Sequence, residues 1–473
     1  MNIVLIMVDQ QKASSLPMYG NPTVGAPNLQ RMASEGCLFK NAFTSCPLCV
    51  PARVSTFTGQ YPSAHGSLNN QVLMGPNKPH LLRILKNGGY TTGLAGKNHC
   101  FTAPDLALFD DVKLAGHYGP DSSVAGDTCL QSKDFLLQSS ELKGAWGSVK
   151  NPYQPEALGA HWVTDRALDF VHERAGQPFF LWYSIPDPHI PFQTCEPYSS
   201  MYPPDDLELP PRVENELHRK PQAQQIDHAV MRGDAVSDAT LRDIISLYYG
   251  MNTFIDDEVG RFLSGLTRLG LDDDTVVIYV SDHGEYLGEH QMIRKSKAAY
   301  DCLIHVPLII RAPNAVQQEI ETMVSLEDIM PTILSYAGLE TPATVHGRSL
   351  MPILADESFP ERDYVYGEYG GHPHPLADDQ TYPVCKSPLS SDFSPTMKLG
   401  GMGKMRYVRT ENWKLVTYVN DQYELYDLQE DPDEMTNVYG EPGTESVTGE
   451  LKDRLLEHMM VINHAGMDMG RMS

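Results

Sequence analysis

The sequence lacks a long apolar run, and its 473 residues carry more acidic than basic side chains. Because no stretch of 18 apolar residues occurs, we expect no membrane-spanning helix. Lys and Arg number 36 against 61 Asp and Glu, which gives a formal net charge of −25. Nucleic acids are polyanions, so this charge argues against a nucleic acid as partner and makes a long polyanionic substrate less favourable.

The cysteines lack the pairing typical of a structural metal site. Eight are scattered along the chain, and only Cys46 and Cys49 have the Cys-x-x-Cys spacing. We therefore expect reduced thiols rather than a disulfide framework. Residues 1–9 form a short apolar segment without preceding basic residues or a small-residue cleavage site, which is typical of a strand rather than a signal peptide. On this basis we expect a cytoplasmic protein.

Short apolar runs alternate with helix-like segments over most of the chain. The runs that predict buried strands or their neighbours are residues 3–8, 91–95, 179–185, 275–280 and 306–310. An amphipathic stretch at 237–269 that ends at Gly270 predicts a long helix before one of them. This alternation predicts an α/β fold in which helices cover both faces of a mainly parallel sheet.

The second part of the chain has a different pattern, which predicts a second domain. After about residue 365, segments 406–409, 414–418 and 423–427 have the pattern of short strands, and 445–462 that of a closing helix. We therefore divide the chain into a catalytic domain, 1–365, and a C-terminal α+β subdomain with a short antiparallel sheet, 366–473. Two stretches rich in Gly, Pro, Ser and Asp, 101–160 and 370–402, are interpreted as irregular loops, which are often functional.

The most informative motif is Cys-Val-Pro-Ala-Arg-Val-Ser-Thr-Phe-Thr-Gly at residues 49–59. Pro51 suits the first turn of a helix and Gly59 suits a left-handed exit, so the motif predicts a helix with Cys49 at its N-terminus. Such an end binds anions, and Arg53 can add a forked cationic donor on the same face. A buried structural cysteine is an alternative. A thiolate nucleophile of the Cys-phosphatase kind fits poorly, because the loop lacks a glycine-rich anion nest.

Two polar pairs follow predicted strands directly. Asp9-Gln10 comes after the first strand, and Asp282-His283 comes after the strand at 275–280. In open α/β sheets the carboxyl ends of the strands form the ligand-binding edge. Two carboxylates, an amide oxygen and an imidazole suit a divalent cation, with Ca²⁺ or Mn²⁺ ahead of Zn²⁺. Taken singly, an Asp-His pair after a strand is more often a turn or a helix cap, but the parallel placement of two such pairs favours a metal site.

Basic side chains follow two further predicted strands. Lys97 and His99 come after 91–96, and His189 comes after 179–185. Histidine is suited to proton transfer near neutral pH, and lysine supplies charge to developing oxyanions. Read alone, each histidine is equally well an ordinary loop residue. The strand-end position places these residues at the same edge as the two metal-type pairs.

Together, in chain order and nearly end to end, these motifs resemble the type I sulfatase family. The resemblance rests on the cysteine motif and on Gly-Lys-x-His at 96–99, Pro-His-x-Pro at 188–191, Ser-Asp-His-Gly-Glu at 281–285, Gly-Arg-Ser-Leu at 347–350 and Glu-Leu-Tyr-Asp-Leu at 424–428. It implies an alkaline-phosphatase-like fold, in which a large mixed, mostly parallel sheet lies between helices. It also implies hydrolysis of a sulfate ester. The cysteine would be oxidised to Cα-formylglycine by a formylglycine-generating enzyme or an anaerobic sulfatase-maturating enzyme.

The resemblance also assigns roles to residues of this chain. The metal ligands that it implies are Asp9, Gln10, the residue derived from Cys49, Asp282 and His283. The catalytic residues that it implies are Cys49, Arg53, Lys97, His99, His189 and Lys295. Lys295 is preferred to its rival Lys297 because it has the family's separation from His283. Ca²⁺ is the expected cation, with Mn²⁺ as the alternative.

Three positions resemble one branch of the family more than the rest. Many sulfatases carry Asp where Gln10 stands and Asn where His283 stands, whereas the choline-sulfatase and phosphonate-monoester-hydrolase branch has this chain's pair. Asn70 also resembles a substrate-side Asn of that branch. Sulfate is therefore not the only group to consider, and phosphodiester or phosphonate monoester hydrolysis with the same machinery is the alternative. A non-catalytic binding protein on this fold is a remote one.

Substrate choice is expected to reside in loops over the pocket. The candidates there are His372, His374 and Tyr382. We expect a small sulfated molecule or a sulfated sugar as the substrate. The sequence leaves open whether the chain forms a homo-oligomer.

Overall fold

The structure is a computed structural model that describes residues 1–75, 78–120, 126–142, 146–231, 236–313, 315–370 and 404–465. Its helices are α1 (Pro27–Ser34), α2 (Cys49–Thr58), α3 (Pro62–His65), α4 (Leu81–Asn87), α5 (Ala103–Leu106), α6 (Asp127–Gln138), α7 (Gly159–Arg174), α8 (Gln222–Met231), α9 (Asp238–Arg268), α10 (Asp301–Ile304), α11 (Ile329–Ala337), α12 (Met351–Leu354) and α13 (Glu445–Ala465). Its strands are β1 (Asn2–Val8), β2 (Cys37–Phe39), β3 (Ala42–Phe43), β4 (Thr91–Gly96), β5 (Asp111–Gly116), β6 (Gly119–Pro120), β7 (Ser148–Lys150), β8 (Phe179–Ile185), β9 (Phe192–Thr194), β10 (Thr275–Ser281), β11 (Leu308–Arg311), β12 (Gln318–Ile320), β13 (Val324–Ser325), β14 (Val365–Tyr369), β15 (Met405–Arg409), β16 (Trp413–Tyr418) and β17 (Glu424–Asp427).

A nine-stranded mixed sheet forms the centre of the molecule, in the order β12-β2-β11-β10-β1-β8-β4-β5-β6. Its middle five strands, from β10 to β5, run parallel to one another. Antiparallel neighbours border them, since β11 pairs antiparallel with β10 and β6 with β5. The predicted large, mixed and mostly parallel sheet is therefore confirmed.

Apolar side chains of β1 point alternately into two cores, one on each face of the sheet. Ile3, Leu5 and Met7 pack with side chains from α2, α4 and α11. The even-numbered residues from Val4 to Val8 pack with side chains from α1, α7 and α9. Because both faces are covered, the strand is apolar from Ile3 to Val8 rather than alternating.

The stretch 101–160 was expected to be irregular, and for its described residues this expectation is wrong. It contains α5, β5, β6, α6 and β7. Strand β5, Asp-Val-Lys-Leu-Ala-Gly, lies near the sheet edge and is mostly half-buried, so it alternates polar and apolar residues and forms no continuous apolar run. The apolar run at 306–310 also differs, because its strand begins only after Pro307, at Leu308, and runs antiparallel.

The second, smaller sheet is antiparallel and has the order β14-β15-β16-β17. One of its faces packs against α13 through side chains such as Leu415 and Leu455. The other packs against the catalytic part, where Tyr286 and Tyr300 contribute. The predicted C-terminal antiparallel sheet is confirmed, while the division at residue 365 stays a prediction. In the described part of the chain, no helix is long and apolar enough to cross a bilayer.

Candidate active site

Helix α2 places Cys49 at its N-terminus, as the sequence predicts. The preceding residue, Leu48, is extended, and the helix ends at Gly59, which has a φ of 63°. Every side chain of the helix is buried, and Cys49 itself is 1% exposed. Asn70 lies beside this helix end, where its Oδ1 accepts the backbone N–H of Val50 at 3.0 Å. Its predicted contact with substrate stays a prediction.

The two metal-type pairs meet because β1 and β10 are neighbouring parallel strands. Val8 pairs with Ser281, so Asp9 and Asp282 leave the sheet side by side. The fully buried guanidinium of Arg53 binds both carboxylates: Nε donates to Oδ2 of Asp282 at 2.8 Å, and Nη2 donates to Oδ2 of Asp9 at 3.2 Å. One arginine thus holds one oxygen of each carboxylate and leaves both Oδ1 atoms to other contacts.

Ligand-type atoms of four buried residues, Asp9, Cys49, Asp282 and His283, lie within 4.8 Å of one another. Cys49 Sγ is 3.2 Å from Nε2 of His283 and 3.7 Å from Oδ1 of Asp9. The other ring nitrogen of His283, Nδ1, lies 2.9 Å from the carbonyl of Gly284. If Nδ1 carries the proton, Nε2 has a free lone pair for a metal. Two carboxylate oxygens and one imidazole nitrogen in a buried cluster fit a divalent cation.

Gln10 lies at the edge of this cluster with a left-handed backbone, φ 70°. Its side-chain oxygen accepts from Nζ of Lys295 at 2.5 Å, and its side-chain nitrogen donates to the buried carboxylate of Glu285. The amide oxygen therefore faces Lys295, which brings the predicted lysine to the metal-type cluster. Tyr248 also fixes the Gln10 backbone, because its hydroxyl donates to the carbonyl at 2.8 Å.

Lys97 follows β4 and forms a buried ion pair with Asp9. Its backbone N–H donates to the carbonyl of Ser184 at 2.9 Å. Gly96, just before it, has a φ of 110°, and a Cβ there would lie 1.8 Å from that same carbonyl oxygen. Only glycine fits this position, and the close approach of Gly96 to the neighbouring strand β8 sets where Lys97 leaves the sheet.

Three histidines, His99, His117 and His189, lie in the loops that follow β4, β5 and β8. His189 is half-buried, and its ring stacks on that of His117 at a centroid distance of 3.7 Å and an interplanar angle of 16°. His99 has a left-handed φ of 43°. Its Nδ1 is buried and has no hydrogen-bond partner among the residues that the structure describes. The structure thus places His189 and His99 on loops at this edge, and their catalytic roles stay predictions.

The charges of the site shift the pKa values of its groups strongly. Burial alone would raise the pKa of the Cys49 thiol, but the positive charges of Lys295 and Lys97, with His283, hold it well below its usual value. Burial and Cys49 oppose ionisation of Asp9, yet Lys97, His189 and Arg53 lower its pKa. Loss of solvent lowers the pKa of His189 to about 4. The helix end therefore favours a negatively charged group at position 49.

Sequence reasoning missed three residues that support the site. Ser184 accepts from Nη1 of Arg53 at 2.8 Å. Glu285 belongs to the motif at 281–285, but the sequence assigns it no role. His117 belongs to the stretch 101–160, which is interpreted as irregular from the sequence. His117 follows β5, so the strand-end rule indicates it once that strand is recognised. The predicted pocket residues lie outside the described residues: His372, His374 and Tyr382.

Comparisons with known proteins agree with this geometry. A family model described as Sulfatase matches residues 1–339, and one described as N-sulphoglucosamine sulphohydrolase, C-terminal, matches residues 400–460. An arylsulfatase of Clostridium perfringens is 29% identical over 462 residues, covering 92% of this chain and 90% of that protein. The multifunctional alkaline phosphatase superfamily protein PehA of Trinickia caryophylli is also 29% identical, covering 96% and 94%.

The fold is shared with solved structures of the same superfamily. The phosphonate monoester hydrolase SpPMH from Silicibacter pomeroyi superposes with a TM-score of 0.81 and 25% identity, covering 99% of this chain and 96% of that chain. The match of the Sulfatase model covers well over half of the chain, including Cys49 and the ends of the central strands. The chain therefore belongs to the sulfatase family.

Proposed function

We propose that this enzyme is a sulfuric ester hydrolase that cleaves the sulfate ester of a small molecule or a sugar into sulfate and an alcohol. The observation that carries the proposal is the convergence on Cys49 of a metal-type cluster and of Lys97 and Lys295 at one buried helix N-terminus. A sulfate ester carries a tetrahedral anionic group, and such a helix end with two cationic side chains matches its oxygens.

We further propose that Cys49 is oxidised to Cα-formylglycine by a formylglycine-generating or anaerobic sulfatase-maturating enzyme. Residue 49 would then supply the attacking hydroxyl. Asp9, Gln10, Asp282 and His283 would hold a divalent cation, with Ca²⁺ ahead of Mn²⁺. When bound, such a cation lowers the pKa of a coordinated hydroxyl and polarises an ester oxygen. The four-residue cluster and the orientation of His283 support this assignment.

The remaining side chains have separate tasks in this proposal. Arg53 holds the two carboxylates, while Lys97 and Lys295 neutralise charge on the nonbridging oxygens of the sulfuryl group. His189, with Lys295, protonates the leaving alcohol. Its pKa of about 4 makes its imidazole neutral at pH 7 in the free enzyme, and the negative charge of a bound sulfate ester favours the protonated form. His99 removes the proton that releases sulfate.

Intact-protein mass and turnover test the assignment of Cys49. Conversion of the thiol to the aldehyde lowers the mass by about 18 daltons. Cys49→Ala should lack this change and should abolish sulfate ester hydrolysis, while its melting temperature stays close to that of the parent. Cys46→Ala, a neighbouring buried thiol, is the matched control and should keep both the mass change and turnover. Activity that survives in Cys49→Ala would refute the nucleophile.

Paired substrates separate the two candidate reactions. Gln10 and His283, together with the likeness to a phosphonate monoester hydrolase, favour phosphodiester or phosphonate monoester hydrolysis as the second candidate. We expect an aryl sulfate to have a higher kcat/KM than an aryl phosphodiester or an aryl phosphonate monoester. The reverse order would make the second reaction the main one. Converted, metal-loaded protein that hydrolyses none of a panel with sulfated sugars, choline sulfate and steroid sulfates would favour a binding protein.

A further inference from the structure

The carboxylate of Glu285 joins two parts of the active site that are distant in sequence. Its Oε1 accepts the backbone N–H of Leu287 at 2.9 Å and also that of Arg294. Its Oε2 accepts the side-chain NH₂ of Gln10, 275 residues away. Glu285 is fully buried. All three partners are N–H groups, so the carboxylate acts only as an acceptor in these contacts.

The contact with Glu285 determines which way the amide of Gln10 points. A carboxylate can accept only from the NH₂ end of an amide, so the oxygen of Gln10 must point to the opposite side. There it accepts from Nζ of Lys295 at 2.5 Å. The backbone of Gln10 is already fixed, because its N–H donates to Oδ1 of Asp282 at 3.1 Å and its carbonyl accepts from Tyr248. With the backbone fixed, the Gln10 side chain can still exchange the positions of its amide oxygen and NH₂ by a rotation of the amide through about 180°.

Glu285 also holds the loop that carries Lys295. The two backbone groups that it accepts lie at either end of a turn with several left-handed residues, among them Leu287 with φ 51° and Arg294 with φ 68°. Such residues are held in place only by surrounding contacts. Because Lys295 directly follows Arg294, one carboxylate sets the position of the lysine as well as the orientation of Gln10.

We propose that Glu285 is a positioning residue that keeps the amide oxygen of Gln10 directed at the cation site and at Lys295. The inference rests on the proposed metal site and adds to it the residue that lets the Gln10 amide oxygen serve as a cation ligand. An amide has only one oxygen, so its orientation decides whether it can bind a cation. At the corresponding position an aspartate would offer oxygens at both ends and would need no such partner.

Glu285→Gln tests this proposal with a side chain of the same shape. The oxygen of the substituted amide is needed by the backbone N–H groups of Leu287 and Arg294, so its NH₂ must face Gln10. The Gln10 amide then reverses to accept this NH₂, and its own NH₂ points at Lys295 and at the cation site. We expect Ca²⁺ and Mn²⁺ to bind about 10–100-fold more weakly. The measurement is calorimetric titration of chelator-treated protein with each cation.

A second substitution should reverse the effect. In Gln10→Glu alone, two carboxylates face each other, and we expect a lower melting temperature of the cation-free protein. In the double variant Gln10→Glu with Glu285→Gln, one oxygen of residue 10 accepts the NH₂ of residue 285, and its other oxygen faces the cation. We expect the double variant to recover most of the affinity lost in Glu285→Gln. Such recovery separates orientation of the amide from general damage to the loop.

Glu258→Gln is the matched control for removal of a buried carboxylate. Glu258 is 4% exposed and binds His161 and Arg261, outside the metal-type cluster. This variant should keep the cation affinity of the parent. Equal cation affinity in Glu285→Gln and the parent would overturn the inference, as would a double variant no better than the single one. A parent protein that binds neither cation would overturn the metal site and the inference together, and the parent titration alone shows this.

Discussion

The buried guanidinium of Arg53 should be the main electrostatic support of the site in the free enzyme. Arg53→Met keeps the length of the side chain but leaves the carboxylates of Asp9 and Asp282 without their shared donor at 3.2 and 2.8 Å. All three side chains are fully buried. Removal of one partner from a buried ion pair costs about 3–5 kcal/mol, because a buried charge loses its compensation. We expect a loss of this size in the free energy of unfolding.

Arg53→Lys should fall between the parent and Arg53→Met. An ammonium keeps the charge, but it is a point donor and cannot reproduce the forked contacts to two carboxylates and to Ser184 at 2.8 Å. It should therefore retain part of the stability and little activity. Comparison of the two variants separates the loss of charge from the loss of geometry.

Chemical denaturation followed by tryptophan fluorescence measures the effect, because the ring of Trp182 lies 5.8 Å from the Arg53 guanidinium. The titration is done with a chelator present, so that no cation supplies the missing charge. Arg454→Met is the control, since Arg454 pairs with the well-exposed Asp363 and Glu450. Exposed pairs contribute about 0–1 kcal/mol. If Arg53→Met loses no more free energy of unfolding than this control, the buried side chains do not carry the charges assigned to them.

Three further predictions concern single positions. Lys295→Met should lower kcat for an aryl sulfate about 10²–10³-fold, whereas its rival Lys297→Met should leave it nearly unchanged; equal losses in a steady-state assay would contradict the assignment. Gly96→Ala and Gly176→Ala both place a side chain at positive φ, 110° and 96°, but only the first Cβ meets a backbone oxygen, at 1.8 Å. Gly176→Ala should therefore cost about 1–2 kcal/mol and keep full activity. Gly96→Ala should melt at a lower temperature and lose activity. Equal effects of the two substitutions would count against the close contact between Gly96 and β8. Burial lowers the pKa of His65 from 6.5 to about 3, so its contribution to stability is complete above pH 6.5 and is lost as the pH falls towards 3. Between these pH values the stability of His65→Gln, measured by denaturation, should fall less steeply than that of the parent, by about 1.4 kcal/mol per pH unit. Parallel profiles of the two proteins would show that His65 does not titrate in this way.

The strand-end rule indicated much of the site because the central strands are apolar on both faces. In such segments the first charged residues after the apolar run, Asp9 and Asp282, mark where the chain leaves the sheet. The sequence of β1 or of β10 alone does not show that the two strands are neighbours. The pairing of β1 with β10 joins residues 273 positions apart, and family resemblance rather than local pattern connected them.

The residues that sequence reasoning missed are those whose role depends on contacts rather than on position in an element. Ser184 lies inside the apolar strand β8, and only the register of β8 with β1 and β4 turns its hydroxyl to Arg53. Glu285 follows His283 by two residues, and its contacts depend on a run of left-handed residues that no propensity predicts. His117 directly follows β5, a mostly half-buried strand near the sheet edge whose alternating residues have no clear apolar run.

The long separation between Cys49 and His283, 234 residues, has a consequence for the order of events during synthesis. A ribosome adds about 5–20 residues per second, so roughly 10–50 seconds pass between the two. During that interval β1 has no β10 beside it, and the thiol has neither Asp282 nor His283 to enclose it. If Cys49 is matured to formylglycine as proposed, the maturing enzyme would therefore have access to the thiol on the nascent chain, before the later half of the polypeptide closes over that position.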